Sequence, residues 1–392
     1  MKTKTWKINK LEKICEILDN KRVPISQKDR ISGNYPYYGA SGIVDYIDKY
    51  IFDEELVLIG EDGAKWGAFE NSAFIASGKY WVNNHAHILK PNNETLINKF
   101  LVYFLNYSNL EKYITGATVR KLNQQKLKQI EIPLPPLQEQ ERIMGILDES
   151  FTKIDESIKI LEQDLLNLDE LMQSALQKAF NPLKDNAKEN YKLPQGWEWK
   201  SLGEICFITD GTHKTPNYIK TGIPFLSVKN ISKGFFDLSD IKYISLEEHN
   251  KLIKRAKPEF GDILICRIGT LGKAIKISLD FEFSIFVSLG LLKPKVKIIS
   301  DYLVYFLNSY FIERWIDNNK VGGGTHTAKL NLNILEKCPI ALPPLKEQEQ
   351  IALYLDELSS HVKNLKQNYQ MQIKNLQELK KSLLDKAFQG RL

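Results

Sequence analysis

Two stretches of this chain space their apolar residues in alternating steps of four and three. Leu147, Phe151, Ile154, Ile158, Leu161, Leu165, Leu168, Met172, Ala175 and Ala179 form an unbroken heptad seam, with Glu, Lys and Gln among the positions between them. Pro182 stops the pattern. The spacing predicts one helix over 137–180, roughly 65 Å long at ~1.5 Å rise per residue. A second helix is expected over 345–388. Its weaker seam of Leu355, Val362, Tyr369, Ile373, Leu376 and Leu383 is interrupted by Ser359, Lys366 and Lys380, and widened to one side by Leu358, Leu365 and Leu379. A small domain cannot cover so long a stripe, so the two helices are expected to pack on each other. An antiparallel pair would put each globule at the start of its own helix, with Lys366 and Lys380 facing a partner or solvent.

The two helices are copies. Leu134–Glu141 reads LPPLQEQE and Leu342–Glu349 reads LPPLKEQE, 208 positions later, and Lys178-Ala179-Phe180 recurs as Lys386-Ala387-Phe388 at the same offset. With small shifts of register, LVYFLN at 101–106 recurs at 303–308, Lys121-Leu122-Asn123 at 329–331, and Leu11, Ile14, Cys15 and Asp19 line up with Leu202, Ile205, Cys206 and Asp210. Between these anchors, over about 20–100 and 212–300, the halves diverge. This is a duplicated module rather than a solenoid. It reads as two readers with different targets on identical handles.

Within the globules, short apolar runs suit strands: Leu56–Ile59, Ala86–Leu89, Gly261–Ile265 and Gly290–Leu292. Helices are expected from about Asn98 and Ser300, and Gly-rich turns separate the elements. Asn181–Gly196 reads as a linker. The expected class is α+β: two mixed α/β domains joined by two long antiparallel coiled-coil helices, in a pseudo-two-fold internal repeat. The boundaries fall at 1–130, 131–185, 186–338 and 339–392.

Composition narrows the function classes. No apolar run approaches a membrane span, residues 1–7 lack a signal-peptide core, and the four cysteines show no C-x-x-C pair. A soluble cytoplasmic protein is expected, without metal. The net charge is +6, unevenly placed: residues 1–125 carry 17 Lys/Arg against 14 Asp/Glu and 189–333 carry 20 against 15, whereas 126–188 carry 8 against 12. Basic divergent segments suit a nucleic-acid partner as well as ordinary solvated lysines.

No G-x-S-x-G, H-E-x-x-H, kinase set or P-loop occurs, so no catalytic residues are expected. Gly322–Thr327 lacks phosphate-loop spacing. It and Thr115–Arg120 nevertheless place Gly, Thr and cations before the shared Lys-Leu-Asn, where Arg120, Lys121, Thr325, His326 and Lys329 could meet DNA phosphates. His85 and His87 are expected on one side of a strand, without the carboxylates a metal would need. Groove-reading side chains gather in the divergent segments: Tyr37, Tyr38, Ser41, Lys65, Trp66, Lys79, Asn83 and Asn84, then Thr212, His213, Lys214, Lys229, Asn230 and Arg267. Each alone is an ordinary surface residue. As a set confined to the divergent segments, they suit DNA reading.

With the doubled LPPLxEQE, the doubled KAF, and segments such as YYGASG, DGTHKTP and IPFLSVKNI, the whole chain resembles the DNA-specificity subunits of type I restriction–modification enzymes. The resemblance implies two target-recognition domains, each reading half of a split, asymmetric double-stranded DNA site. It implies two long helices that fix their separation and dock two methyltransferase subunits. It also implies a motor/endonuclease subunit. S-adenosylmethionine, ATP and Mg would belong to those partners and no cofactor to this chain. The competing reading is a coiled-coil scaffold or inhibitor of such a complex that does not touch DNA.

Overall fold

The computed structural model describes residues 6–116, 118–180, 193–323 and 328–392. Thr325 and His326, and most of the expected linker, lie outside them. The chain divides into two compact units, Met1–Gln163 with Asn368–Leu392, and Asp164–Gln367. The long helices are present as Leu137–Ala179 and Leu345–Phe388, so each unit holds a globule and a part of both.

The first unit contains a four-stranded antiparallel sheet in the order Cys15–Ile17, Ala86–Pro91, Leu56–Gly60, Ala73–Ala76. The second unit repeats it strand for strand: Cys206–Asp210, Leu289–Pro294, Ile263–Cys266, Ala274–Lys276. The apolar runs read from sequence are its central strands, fully buried on both faces. The second sheets are not copies. The first unit has four strands, with Tyr37-Tyr38 parallel to Trp81-Val82, whereas the second has three, with Phe225-Leu226 parallel to Ser284-Ile285.

The repeated motifs are the fastenings of this shared frame. Asn106, ending LVYFLN, accepts from the Ala73 N–H (2.8 Å) and donates to the Ala73 carbonyl (2.9 Å), and Asn308 does the same at Ala274 (3.1 and 2.8 Å). Each thus satisfies one residue of an edge strand, where backbone groups would otherwise go unpaired. The tyrosine of the motif reaches the long helix: Tyr103 donates to Asp148 (3.2 Å) and Tyr305 to Asp356 (2.7 Å).

In LPPLxEQE the middle glutamine is buried. Gln140 Oε1 accepts from the Ile97 N–H (2.9 Å), just before the LVYFLN helix, while Nε2 donates to the carbonyls of Thr95 (2.8 Å) and Pro135 (2.9 Å). Gln348 repeats this at Ile299 (3.1 Å) and Pro343 (2.9 Å). The first amides of a helix have no partner within it, and the glutamine supplies one.

The phenylalanine of each KAF ends a helix in a core. Phe388 packs on Phe100, Phe104 and Tyr107 in the first unit, at ring separations of 5.0 to 5.4 Å. In the second unit, Phe180 packs on Tyr302 and Phe306 (5.9 and 5.2 Å). Each KAF therefore docks on the LVYFLN helix of the other repeat.

Within each unit the two helices run antiparallel. In the first, Lys380 pairs with Asp155 (2.7 Å) and Arg142 reaches the Leu392 carbonyl (2.9 Å). In the second, Lys366 pairs with Asp169, and Ala175 shares a core with Ala352 and Leu355. All ten seam residues of the first helix are buried or half-buried. Two expectations need correction. Lys366 and Lys380 are not outward-facing: each is half-buried and ends on an aspartate of the facing helix, Lys380 passing over the Phe151 ring (4.8 Å). Leu365 and Leu379 do not widen the seam, being 40% and 46% exposed.

Candidate nucleic-acid interface

A charged node closes the end of the shared sheet in each unit. In the first, Asp19 and His87 meet through Oδ2 and Nδ1 (2.6 Å), and His87 Nε2 lies 2.6 Å from the Leu122 carbonyl oxygen. Both ring nitrogens thus face oxygen atoms, and the imidazole spans the gap between them. Arg22 pairs with Asp19 and with Glu61, and Lys121 Nζ lies 2.8 Å from Glu61. Burial alone would raise the Asp19 carboxyl, but the hydrogen bond and charge of His87, the Ile88 amide and Arg22 outweigh it and hold the group below its ordinary value. Glu61 is lowered likewise: against burial stand Lys121, Arg22 and the charge of His87.

The carboxylates judged missing near His87 are thus present, and Asp19, Glu61 and His87 bring their ligand atoms within 4.8 Å of one another. Both imidazole nitrogens have partners at 2.6 Å, and the carboxylates face Arg22 and Lys121. Hydrogen bonds and ion pairs within the group hold it together. His85 does not share a strand with His87: it lies in a turn, exposed, against Asp62 (2.5 Å).

In the second unit Asp210 gathers two arginines and a histidine. Arg267 and Arg255 pair with its two oxygens, and His213 Nε2 sits 2.9 Å away. Arg267 Nε donates to the Leu330 carbonyl (2.9 Å). Burial pushes the Asp210 carboxyl up, but Arg255, His213 and Arg267 together bring it below the ordinary range. Gly211 follows under a close approach of backbone, since a Cβ there would stand 2.0 Å from the Ile285 oxygen.

The residues read from sequence divide by burial. Tyr37, Trp66, Asn83, Asn230 and Arg267 are buried and hydrogen-bonded. Tyr37 Oη takes the Ile25 N–H (3.0 Å), Trp66 Nε1 donates to the Gly60 carbonyl (3.0 Å), Asn83 accepts from the His85 N–H (2.8 Å), and Asn230 spans Ser227 and Asp237. These side chains hold loops in shape. Tyr38, Lys121 and Thr212 are half-buried. Ser41, Lys65, Lys79, Asn84, Arg120, His213, Lys214, Lys229 and Lys329 are exposed.

The first unit gathers Arg120 (6.0 Å over the Trp66 ring) and Lys121 beside the Glu61–Trp66 turn. The second joins Thr212–Lys214, Arg267 and Lys329 through Asp210 and the bridge of Ile268 with Lys329. Lys79 lies apart, over Tyr50 (4.9 Å). Sequence reasoning missed Arg22, Glu61 and Arg255 entirely. It held one pointer to the rest, the alignment of Asp19 with Asp210.

The family model of the type I restriction modification DNA specificity domain matches residues 3–166 and again 194–375. A putative type I restriction enzyme specificity subunit of Haemophilus influenzae is 32% identical over 380 residues, covering 95% of this chain and 92% of that one. The EcoBI specificity subunit of Escherichia coli is 25% identical over 387 residues, 93% and 79% of the two chains. Among solved structures, the HsdS subunit from Thermoanaerobacter tengcongensis superposes with a TM-score of 0.60 at 22% identity, over 99% and 98% of the chains. A chain from a type I R-M system reaches 0.74 at 21%, over 99% of both. The frame, its duplication and these matches agree: the chain belongs to the family of type I restriction–modification DNA-specificity subunits.

Proposed function

We propose that each unit reads one part of a bipartite, asymmetric site on double-stranded DNA, and that the long helices dock two methyltransferase subunits. A motor/endonuclease subunit completes the complex, and S-adenosylmethionine, ATP and Mg reside on these partners. One observation carries the reading: the two units share sheet, latches and Lys-Leu-Asn node, yet differ in their second sheets and in the exposed cations around them. A common frame with different surfaces suits two readers of different words. Ile160, Leu166, Leu353 and Met371, 56% to 62% exposed on the long helices, supply apolar area for the docked subunits.

Methylation mapping in a host carrying this chain with its methyltransferase should show one bipartite motif with unlike halves. Deleting one heptad within 146–180 should change or abolish the recognised spacer. An unchanged spacer refutes the role of the helices as a ruler. A gel shift that shows no salt-dependent, sequence-selective binding by the complex refutes DNA reading, and leaves the scaffold or inhibitor reading.

A further inference from the structure

The two nodes do one job with different residues. His87 stands opposite Ile59 in the first sheet, and Gly290 stands opposite Ile265 in the second. Two residues on from these partners come Glu61 and Arg267, so Glu61 corresponds to Arg267 and His87 to Gly290. In the first unit the imidazole of His87 spans the gap from the Asp19 carboxylate to the Leu122 carbonyl. In the second, position 290 has no side chain and the guanidinium of Arg267 spans the equivalent gap, from Asp210 to the Leu330 carbonyl. A Cβ at 290 would lie 3.0 Å from both Arg267 Cδ and Ile265 Cγ2, so a side chain there would crowd the arginine. An arginine from an unrelated place also joins each aspartate. Arg22 Nε donates to the Asp19 carbonyl (3.2 Å) and Arg255 Nε to the Asp210 carbonyl (3.3 Å), and each pairs with the same aspartate's carboxylate.

A core under pressure only to pack would not rebuild a buried aspartate–side chain–carbonyl bridge by a second route, because a buried carboxylate is costly to desolvate. What the bridge fixes is the segment just before it. Lys121 is backbone-paired with Thr115 and bridged to Asp62, and Lys329 with Val321 and Ile268. Arg120 and Lys329 stand exposed on that segment.

We propose that Asp19 and Asp210 are positioning residues for DNA reading, each holding the cation-bearing start of the Lys-Leu-Asn segment in place through a buried bridging side chain. The pairs Glu61/His87 and Arg267/Gly290 are exchangeable ways of supplying that bridge. The inference rests on the DNA-reading role proposed above.

The test uses the full chain with its methyltransferase partner, and fluorescence anisotropy on the duplex it methylates, over a range of salt. Asp210→Asn should weaken binding about tenfold or more. It should also flatten the dependence of log K on log salt by about 0.9 for each phosphate the protein no longer neutralises. Lys329→Gln should flatten it too, and Asp210→Asn added to Lys329→Gln should flatten it no further. In the first unit, His87→Gly alone should weaken binding, while His87→Gly with Glu61→Arg should restore it to within about threefold of the unaltered chain.

An unaltered salt slope in Asp210→Asn overturns the proposal, since a merely destabilised but folded protein keeps its slope. If Asp210→Asn does not fold, the pair at 61 and 87 decides: binding no better than His87→Gly alone overturns the proposal. An unaltered complex that does not prefer its methylated duplex over a scrambled one overturns the DNA-reading role instead.

Discussion

Replacing Gln140 with leucine keeps the side chain's volume and removes its polar end. Three backbone groups are then left without a partner: the Ile97 N–H and the carbonyls of Thr95 and Pro135. The residue is 0% exposed, so water does not substitute. A buried group left unsatisfied costs ~1–3 kcal/mol. The low end of that range for each of the three groups places Gln140→Leu at about 3 kcal/mol. Gln348 makes two such bonds rather than three, so Gln348→Leu should cost about 2 kcal/mol. Urea denaturation of both variants measures the difference, and hydrogen exchange at the Ile97 amide localises it. If Gln140→Leu shifts stability by less than about 1 kcal/mol, or Gln348→Leu costs more, the latch reasoning fails.

Phe388→Ala and Phe180→Ala each empty a ring-lined site and should each cost about 3 kcal/mol, the low end for a core phenylalanine because helix ends can relax; losses under about 1 kcal/mol by urea denaturation would contradict the packing. Burial pushes the thiols of Cys15, Cys206, Cys266 and Cys338 up to about 12, so a thiol reagent at neutral pH should label none in the native protein and all four in denaturant. Labelling of the native protein at the denatured rate would show those sites are not closed. Asp19, Glu61 and Asp210 sit below their ordinary values. The unfolded chain therefore takes up protons first, and their contribution is complete above an unfolded carboxylate pKa of about 4 and lost as pH falls through the lower folded values. The urea midpoint should fall below about pH 4, less steeply in Asp19→Asn; an identical acid profile in the two proteins refutes this account.

The long helices were legible because a heptad seam is a local pattern that reports a non-local contact: Leu147 to Ala179 had to face something equally long. The central strands were legible for a similar reason, since runs such as Leu56–Ile59 are apolar on both faces. The second sheets were not. Strands as short as Ser284-Ile285, and a parallel pairing between Tyr37-Tyr38 and Trp81-Val82, have no local signature because their partners are distant in sequence. The site was half legible. Reading aromatic and amide side chains as groove contacts ignored their equal fitness for loop cores, which is where Tyr37, Trp66, Asn83 and Asn230 lie. Charged residues were read as surface because charges seldom bury. Asp19, Glu61 and Arg267 bury because oppositely charged partners meet them, and those partners come from up to 68 positions away.

The crossing of each KAF into the other repeat's core sets an order on the birth of the molecule. The globule made first lacks its last aromatic packing piece, Phe388, until residues 164–388 have left the ribosome. At ~5–20 residues per second, that is a wait of roughly ten seconds or more with the rings of Phe100, Phe104 and Tyr107 uncovered. The second globule has Phe180 in hand before its own strands are made. The half synthesised first is therefore the half completed last, and it is the one a chaperone would have reason to hold.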